Sequence, residues 1–209
     1  MQKFNNVILV GYSGHAIVLA DMIIEEGGKI IGYTEKVAVK NNPFSLKYLG
    51  LEQSQEFKYF NSKYNFVVGI GDNITRMKIT SFLRTKKQNI ISIVHPSSSI
   101  SKTAKLGSGI FISRNVSVNN HCEIGDDVII NTSSSIDHEC KIFQGAHIAP
   151  GAVLCGNVQV GTGTFVGANA IIKEGVKIGD YVKIGAGSVV LKNIGNNALI
   201  VGNPGKLVG

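Results

Sequence analysis

The stretch from Ile124 to Val153, IGDDVIINTSSSIDHECKIFQGAHIAPGAV, decides the fold because an aliphatic residue occupies every sixth position in it. This period runs without interruption from Ile100 to Val190. A helix would repeat about every 3.6 residues and a strand every second residue, whereas a strict six-residue repeat is typical of a parallel β-helix. Each hexapeptide then supplies one flat face and one corner, and three hexapeptides complete a triangular coil. We expect the repeated aliphatic side chains to point inward and to stack from coil to coil.

A second position, four residues after each aliphatic one, is mostly small or β-branched and is also expected to face inward. Cys122 and Cys140 occupy it one coil apart, so we interpret them as buried core residues rather than as nucleophiles. Glycine often follows the aliphatic residue directly, and we expect these glycines to take positive φ angles at the corners. They are Gly107, Gly125, Gly161, Gly167, Gly179 and Gly185.

The first part of the chain alternates strand and helix patterns instead. Short apolar runs predict strands over 7–10, 29–33, 66–70 and 89–94, and helical spacing predicts helices over 16–26 and 73–86. Alternation of this kind indicates a small parallel, Rossmann-like sheet. We therefore predict two domains, an α/β domain over residues 1–94 and a β-helix over residues 95–209.

Composition excludes several classes of function. The net charge of +7 comes from dispersed basic residues without a nucleic-acid-binding motif, so we expect phosphorylated small molecules rather than nucleic acid as partners. Three cysteines without C-x-x-C spacing argue against a disulfide framework and a zinc ribbon. We also see no signal peptide and no apolar run of about 18 residues, so we expect a cytoplasmic chain without a membrane span.

A titratable cluster, Asp137, His138 and Glu139, interrupts the repeat at positions that point outward near a corner. An outward His beside a carboxylate can act as a general base, and it can equally be a solvated surface pair. A metal site shared by His121, His138 and His147 is a further possibility. Their separations of 17 and 9 residues include no pair four or five apart, so we expect no metal.

Three motifs in combination resemble one known family. VGYSGHA at 10–16 opens the α/β part, IVHPSSSI at 93–100 joins the two parts, and NTSSSIDHEC at 131–140 lies in the coil. Together they resemble the sugar O- and N-acyltransferases of the hexapeptide-repeat superfamily over essentially the whole chain. The resemblance implies a left-handed coil, a homotrimer with active sites between subunits, acetyl-CoA as co-substrate and no metal.

The resemblance also implies roles for residues of the coil. It assigns His138 as the general base, Glu139 as the acid that raises its basicity, and Asn131 as a polar residue near the reacting groups. The remaining assignments concern acetyl-CoA: a contact near the thioester from His147, an oxyanion donor from the Gly156 N–H, and backbone contacts along the pantetheine arm from Ala168 and Ala186.

In the α/β part, the resemblance implies that the loops after two strands hold the nucleotide of a nucleotide-sugar. Helix N-termini present free N–H groups to phosphates, which agrees with the first of these loops. The residues assigned to substrate are Ser13, Gly14, His15, Glu35, Gly71 and Asn73, and Arg76 belongs to the second loop.

The resemblance therefore implies N-acetylation of a UDP- or dTDP-linked 4-amino-4,6-dideoxy sugar, by direct transfer from acetyl-CoA, in the biosynthesis of a surface polysaccharide. O-acetylation of a sugar such as sialic acid is an alternative, because the same base can serve an alcohol. A non-catalytic trimeric scaffold is an alternative from a different class, and it would have no need of His138 and His147.

Overall fold

A computed structural model describes residues 4–208, and the chain divides between Ile93 and Val94 into two compact units. In the first unit, strands and helices alternate as the sequence predicts, with boundaries shifted by one to two residues. Its elements are β1 (Val7–Val10), α1 (Gly14–Glu25), β2 (Ile30–Thr34), β3 (Asn65–Val68), α2 (Asn73–Thr85) and β4 (Asn89–Ile90). The last predicted strand, 89–94, is divided into Asn89–Ile90 and Ile93–Val94.

The strands of the first unit are parallel and lie in the order β2-β1-β3-β4. All of β1 is buried, since helices cover a parallel sheet and its strands are apolar on both faces. Helix α1 ends where predicted: Gly27 takes a φ of +70°, and the N–H of Gly28 reaches back to the carbonyl of Ile23 at 2.8 Å. The small parallel sheet predicted from the sequence is therefore confirmed.

The order of the strands reverses between β1 and β3. The chain leaves β1 toward β2 on one side, and β3 continues toward β4 on the other. In open α/β sheets, ligands bind in the crevice outside the carboxyl ends of the strands at such a reversal. The loop from Gly11 to Ser13 and the loop from Gly69 to Asp72 lie at this position.

The second unit is a parallel β-helix whose strands, of two residues each except for Leu199–Val201, form three faces, each named here by a characteristic residue. The histidine face contains Ile93–Val94, Phe111–Ile112, Ile129–Ile130, His147–Ile148, Phe165–Val166, Lys183–Ile184, Leu199–Val201 and the antiparallel Lys206–Leu207. The serine face contains Ser99–Ile100, Ser117–Val118, Ser135–Ile136, Val153–Leu154, Ile171–Ile172 and Val189–Val190. The lysine face contains Lys105–Leu106, Glu123–Ile124, Lys141–Ile142, Gln159–Val160 and Lys177–Ile178.

Backbone hydrogen bonds join each coil to the next, 18 residues away. The N–H of Asn119 donates to the carbonyl of Ile136, and the N–H of Asp137 donates to the carbonyl of Leu154, both at 2.9 Å. The repeated aliphatic residues fill the interior as predicted, with the exception of Leu106. This side chain is 40% exposed because its strand ends the lysine face and has no further coil against it.

The prediction that the glycines after the aliphatic positions take positive φ is wrong. The positive φ angles lie two residues further on, at Gly145 and Gly163 and at non-glycine residues such as His121, Glu139 and Asn157. Gly107 illustrates the actual reason for the glycines, because a Cβ there would lie 2.7 Å from the backbone N of Asp126 in the next coil. The coils approach each other too closely at these points for any side chain.

Candidate active site

His138 and Glu139 form a bonded pair at a corner of the coil that follows the serine face. The Nδ1 of His138 lies 3.1 Å from Oε2 of Glu139, and both side chains are partly exposed. A carboxylate oxygen only accepts hydrogen bonds, so the ring nitrogen that faces it must be the protonated one, which assigns the proton of the neutral ring to Nδ1. The other ring nitrogen, Nε2, then keeps its lone pair and can accept a proton.

Asp137 holds this corner in place. Its Oδ1 accepts hydrogen bonds from the backbone N–H of His138 at 2.8 Å and from Nδ2 of Asn119 at 2.9 Å. The hydrogen bond from the His138 backbone N–H and, to a smaller extent, the one from the Asn119 amide lower the pKa of the Asp137 carboxyl. No role was predicted for Asp137 from the sequence. Its position at the start of a corner was the available signal, because Asp side chains often accept hydrogen bonds from the backbone of a turn.

Gly156 lies directly against the His138 ring, one coil further along the chain. A Cβ at Gly156 would lie 2.5 Å from both Nε2 and Cε1 of His138. Within the described part of the chain, the Gly156 N–H has no hydrogen-bond acceptor. The structure therefore brings together the predicted base and the predicted oxyanion donor, with no side chain between them.

Asn131 and His147 form a second group. Nδ2 of Asn131 lies 3.3 Å from Nε2 of His147. His147 is 8% exposed, and its ring packs edge-on against the ring of Phe165. Ala168 and Ala186 lie at the same corner as Asn131 in later coils, and the carbonyl of Ala168 accepts the N–H of Gly187. Their small side chains leave the backbone of this corner open to contact.

The two groups lie on different edges of the prism. The His138 edge includes the corners at 119–122, 137–140 and 155–158, and the Asn131 edge includes those at 131–134, 149–152, 167–170 and 185–188. The serine face separates the two edges, because Ser135–Ile136 connects one corner to the other. One chain therefore does not bring all the predicted residues of the coil into a single site.

The histidines of the coil do not converge either. His121 lies one coil before Glu139 on the His138 edge, whereas His147 belongs to the histidine face. Among residues 4–208, no group of three His, Cys, Asp or Glu side chains is placed to hold a metal ion. Cys140 is fully buried, and its hydrogen bond with the Cys122 side chain, followed by burial, raises the pKa of the Cys140 thiol.

A cavity of about 500 Å³ opens in the first unit at the reversal of strand order. Of the residues predicted to hold substrate, Ser13, Glu35 and Gly71 line it. Oε1 of Glu35 accepts the backbone N–H of Tyr12 at 3.0 Å, which fixes the carboxylate beside the first loop. Residues that sequence reasoning missed also line the cavity, among them Glu52, Lys36 and Lys78.

The two helices that begin near this cavity differ at their N-termini. Asp72 caps α2, since its Oδ1 accepts the N–H of Thr75 at 2.9 Å. Ser13 makes no such side-chain bond at the start of α1. The start of α1, which has no side-chain cap, is therefore the helix N-terminus better suited to an anionic ligand.

His15 and Asn73, which were also predicted to hold substrate, do not line the cavity. Burial, and after it the charge of Arg76, lower the pKa of His15 to about 4, so its imidazole is neutral near pH 7. Nη2 of Arg76 donates to Oδ1 of Asn73 at 2.9 Å, and Nη1 donates to the carbonyls of Ile70 and Gly71. The buried guanidinium thus holds the second loop in shape, and Asn73 is its partner.

No helix among the described residues has both the length and the apolar character needed to cross a membrane.

Both units match known protein families. Residues 6–83 match the PglD N-terminal domain family. Residues 139–174 and 163–192 match the family described as bacterial transferase hexapeptide (six repeats), which agrees with the left-handed parallel β-helix that the resemblance implies. No curated protein matches the sequence.

Several solved structures match almost the whole chain. A His-to-Asn variant of perosamine N-acetyltransferase from Caulobacter crescentus, in complex with CoA and GDP-perosamine, has a TM-score of 0.89 at 28% identity, covering 98% of this chain and 97% of that chain. The acetyltransferase domain of PglB from Neisseria gonorrhoeae, in complex with acetyl coenzyme A, has a TM-score of 0.88 at 25% identity, with coverages of 99% and 100%. WeeI from Acinetobacter baumannii AYE, at 18% identity and a TM-score of 0.88, shares the fold.

Proposed function

Because this chain belongs to the sugar acyltransferases of the hexapeptide-repeat superfamily, we propose that it transfers the acetyl group of acetyl-CoA to the amino group of a nucleotide-linked amino sugar. The observation that carries the proposal is the contact between His138 and Gly156. A Cβ at Gly156 would lie 2.5 Å from Nε2 of His138, so residue 156, whose N–H has no acceptor among the described residues, adjoins the base. Acyl transfer needs a base and an oxyanion donor at neighbouring points.

The reaction follows from these two groups. The sugar amine attacks the thioester carbonyl carbon while Nε2 of His138 takes its proton. The carbonyl oxygen becomes an oxyanion and accepts the Gly156 N–H. The intermediate then collapses to an amide, and CoA leaves as a thiolate that takes the proton from Nε2 of His138, which returns the ring to its neutral form. A positioned base contributes about 10²–10⁴-fold and one oxyanion donor about 3 kcal/mol, so neither a covalent intermediate nor a metal is required.

The proposal extends to the assembly. His138, Glu139 and Gly156 lie on one prism edge, and Asn131, His147, Ala168 and Ala186 lie on or beside another. A site that uses both groups needs the His138 edge of one copy and the Asn131 edge of the next. A closed trimer places every such pair of edges together, and acetyl-CoA would then lie between two subunits.

In the first unit, the proposal places the nucleotide in the cavity at the strand reversal, with its phosphates at the uncapped start of α1. The assignment of UDP or dTDP as the nucleotide, and of a 4-amino-4,6-dideoxy sugar, remains a prediction. The Caulobacter crescentus structure contains GDP-perosamine.

A substrate panel tests the proposal. The purified full chain is incubated with acetyl-CoA and GDP-, UDP- or dTDP-linked sugars that carry an amino group or, in matched pairs, a hydroxyl group. We expect thiol release with an amino sugar and a product whose mass rises by one acetyl group. Acetylation of hydroxyl sugars alone would support O-acetyl transfer instead, and no acetylation of any sugar would support a scaffold.

A further inference from the structure

The cavity of the first unit contains the buried carboxylate of Glu52, which takes no part in the proposed acetyl transfer. Glu52 is 4% exposed and lines the cavity. Its Oε2 accepts the hydroxyl of Thr34 at 2.8 Å. Among the described residues, nothing donates to its Oε1. Because Glu52 lines the cavity, this oxygen can be reached from it, and a ligand with N–H or O–H groups is the partner that a carboxylate oxygen accepts from.

The backbone around Glu52 is built to hold this side chain. Tyr48 pairs in parallel with Tyr33 of strand β2 as an isolated bridge. In this pairing the N–H of Leu49 donates to the carbonyl of Tyr33 at 2.9 Å. The N–H of Glu35 then donates to the carbonyl of Gly50 at 3.2 Å. These bonds fix the segment before Glu52 against the end of β2, and the Thr34 hydroxyl then holds the carboxylate.

The positions of charge in the cavity give a nucleotide one orientation. The uncapped start of α1 lies at the end of β1, where phosphate binds. Glu35 directly follows β2, and Glu52 is bonded to Thr34, the last residue of β2. Lys36 also lines the cavity on this side, but the two carboxylates outweigh its single charge and disfavour a phosphate there, so we place the nucleoside on the β2 side. Glu35 suits the ribose hydroxyls there, which leaves Glu52 for the base.

Among nucleobases, guanine matches a carboxylate best. Its N1–H and its N2 amino group are adjacent donors, and a carboxylate accepts two hydrogen bonds side by side. Uracil and thymine offer a single N3–H between two carbonyl oxygens, whose lone pairs would face the carboxylate. Adenine and cytosine place an acceptor next to their amino group.

Resting on the proposed function, we infer that Glu52 determines the nucleotide: it accepts hydrogen bonds from N1–H and the N2 amino group of guanine, and the acetyl acceptor is a GDP-linked amino sugar. This inference revises the sequence-based prediction of UDP or dTDP.

Calorimetry with GDP, IDP and UDP tests the inference on the full chain. IDP keeps N1–H and lacks the N2 amino group. We expect wild type to bind GDP about ten- to a hundredfold tighter than UDP, with IDP between them, since hydrogen bonds to a charged group are of that size. Glu52→Gln should lower GDP affinity by about tenfold or more and leave UDP affinity unchanged, because the amide oxygen can still accept from Thr34 but the charge is lost.

Glu56→Gln is the matched control, because Glu56 lies exposed in the same segment. This variant should bind all three nucleotides as wild type does. UDP binding more tightly than GDP in wild type would overturn the inference, and so would equal losses for all three nucleotides in Glu52→Gln. If that variant does not fold, the wild-type comparison of GDP with IDP decides: equal affinities refute the role of Glu52. Acetylation of UDP-linked amino sugars in preference to GDP-linked ones would refute the inference while the proposed function stands.

Discussion

Replacing Gly156 by alanine adds one methyl group against the proposed base. The added Cβ would lie 2.5 Å from Nε2 and Cε1 of His138, whereas ordinary van der Waals contact begins at 3.4 Å. The imidazole must therefore move by about 0.9 Å. Gly156 is not among the glycines with positive φ, so alanine fits the backbone there and the effect is confined to the ring.

The displacement should cost activity and little stability. The side chain of His138 is 45% exposed and can swing toward solvent, so we expect the free energy of unfolding to change by less than about 1 kcal/mol. A misplacement of about 1 Å can lower a rate about 10²-fold. Alanine keeps the backbone N–H at 156, so the oxyanion donor remains and the loss reports the base alone.

The assay is thiol release from acetyl-CoA under saturating nucleotide-sugar, with thermal unfolding measured alongside. Gly195→Ala is the control, since a Cβ at Gly195 meets nothing within 4 Å and its φ is ordinary. We expect Gly195→Ala to keep wild-type kcat and Gly156→Ala to lose about 10²-fold. The same substitution made in a His138→Ala background should add little, because the ring that it displaces is gone.

Wild-type kcat in Gly156→Ala would refute this reasoning. A full additional loss in the His138→Ala background would refute it as well, because the methyl group would then act on something other than the ring.

Two further predictions concern the first unit and the assembly. Burial, and after it Arg76, lower the pKa of His15 from the ordinary 6.5 to about 4, so the unfolded chain takes up a proton first as pH falls. The free energy of unfolding should therefore drop by about 3 kcal/mol between pH 6.5 and 4 and level off below, and His15→Gln should remove this slope in urea titrations. Co-expression of His138→Ala with His147→Ala chains should restore activity that neither has alone, since mixed trimers regain an intact pair of edges; inactive mixtures would place both histidines in one subunit's site.

The six-residue period made the coil predictable because it is a strictly local signal. It fixed which side chains point inward, and it placed His138 and Glu139 outward at a corner, as the structure has them. The glycines were misinterpreted because two physical causes, positive φ and close approach of the next coil, both favour glycine. Asn, Asp, Ser and Glu at the positions that take positive φ carried the correct signal, as at Asn115 and Asp127.

Other features depend on contacts that no period encodes. The bond from Arg76 to Asn73 could have been suspected from their spacing of three residues on one helix, whereas the buried position of the guanidinium could not. Glu52 lies in a segment without periodicity, and its burial follows from a pairing between Tyr48 and Tyr33 that joins residues distant in sequence. The division of the coil residues between two edges follows from the register, but only once the three faces are assigned.

The most direct measurement of the central claim is kcat for acetyl transfer to the nucleotide-linked amino sugar by His138→Ala, compared with wild type. We expect a fall of about 10²–10⁴-fold, with acetyl-CoA and nucleotide affinities unchanged, because the variant loses the base and keeps the Gly156 N–H and the coil. A His138→Ala variant that turns over at the wild-type rate would contradict the account.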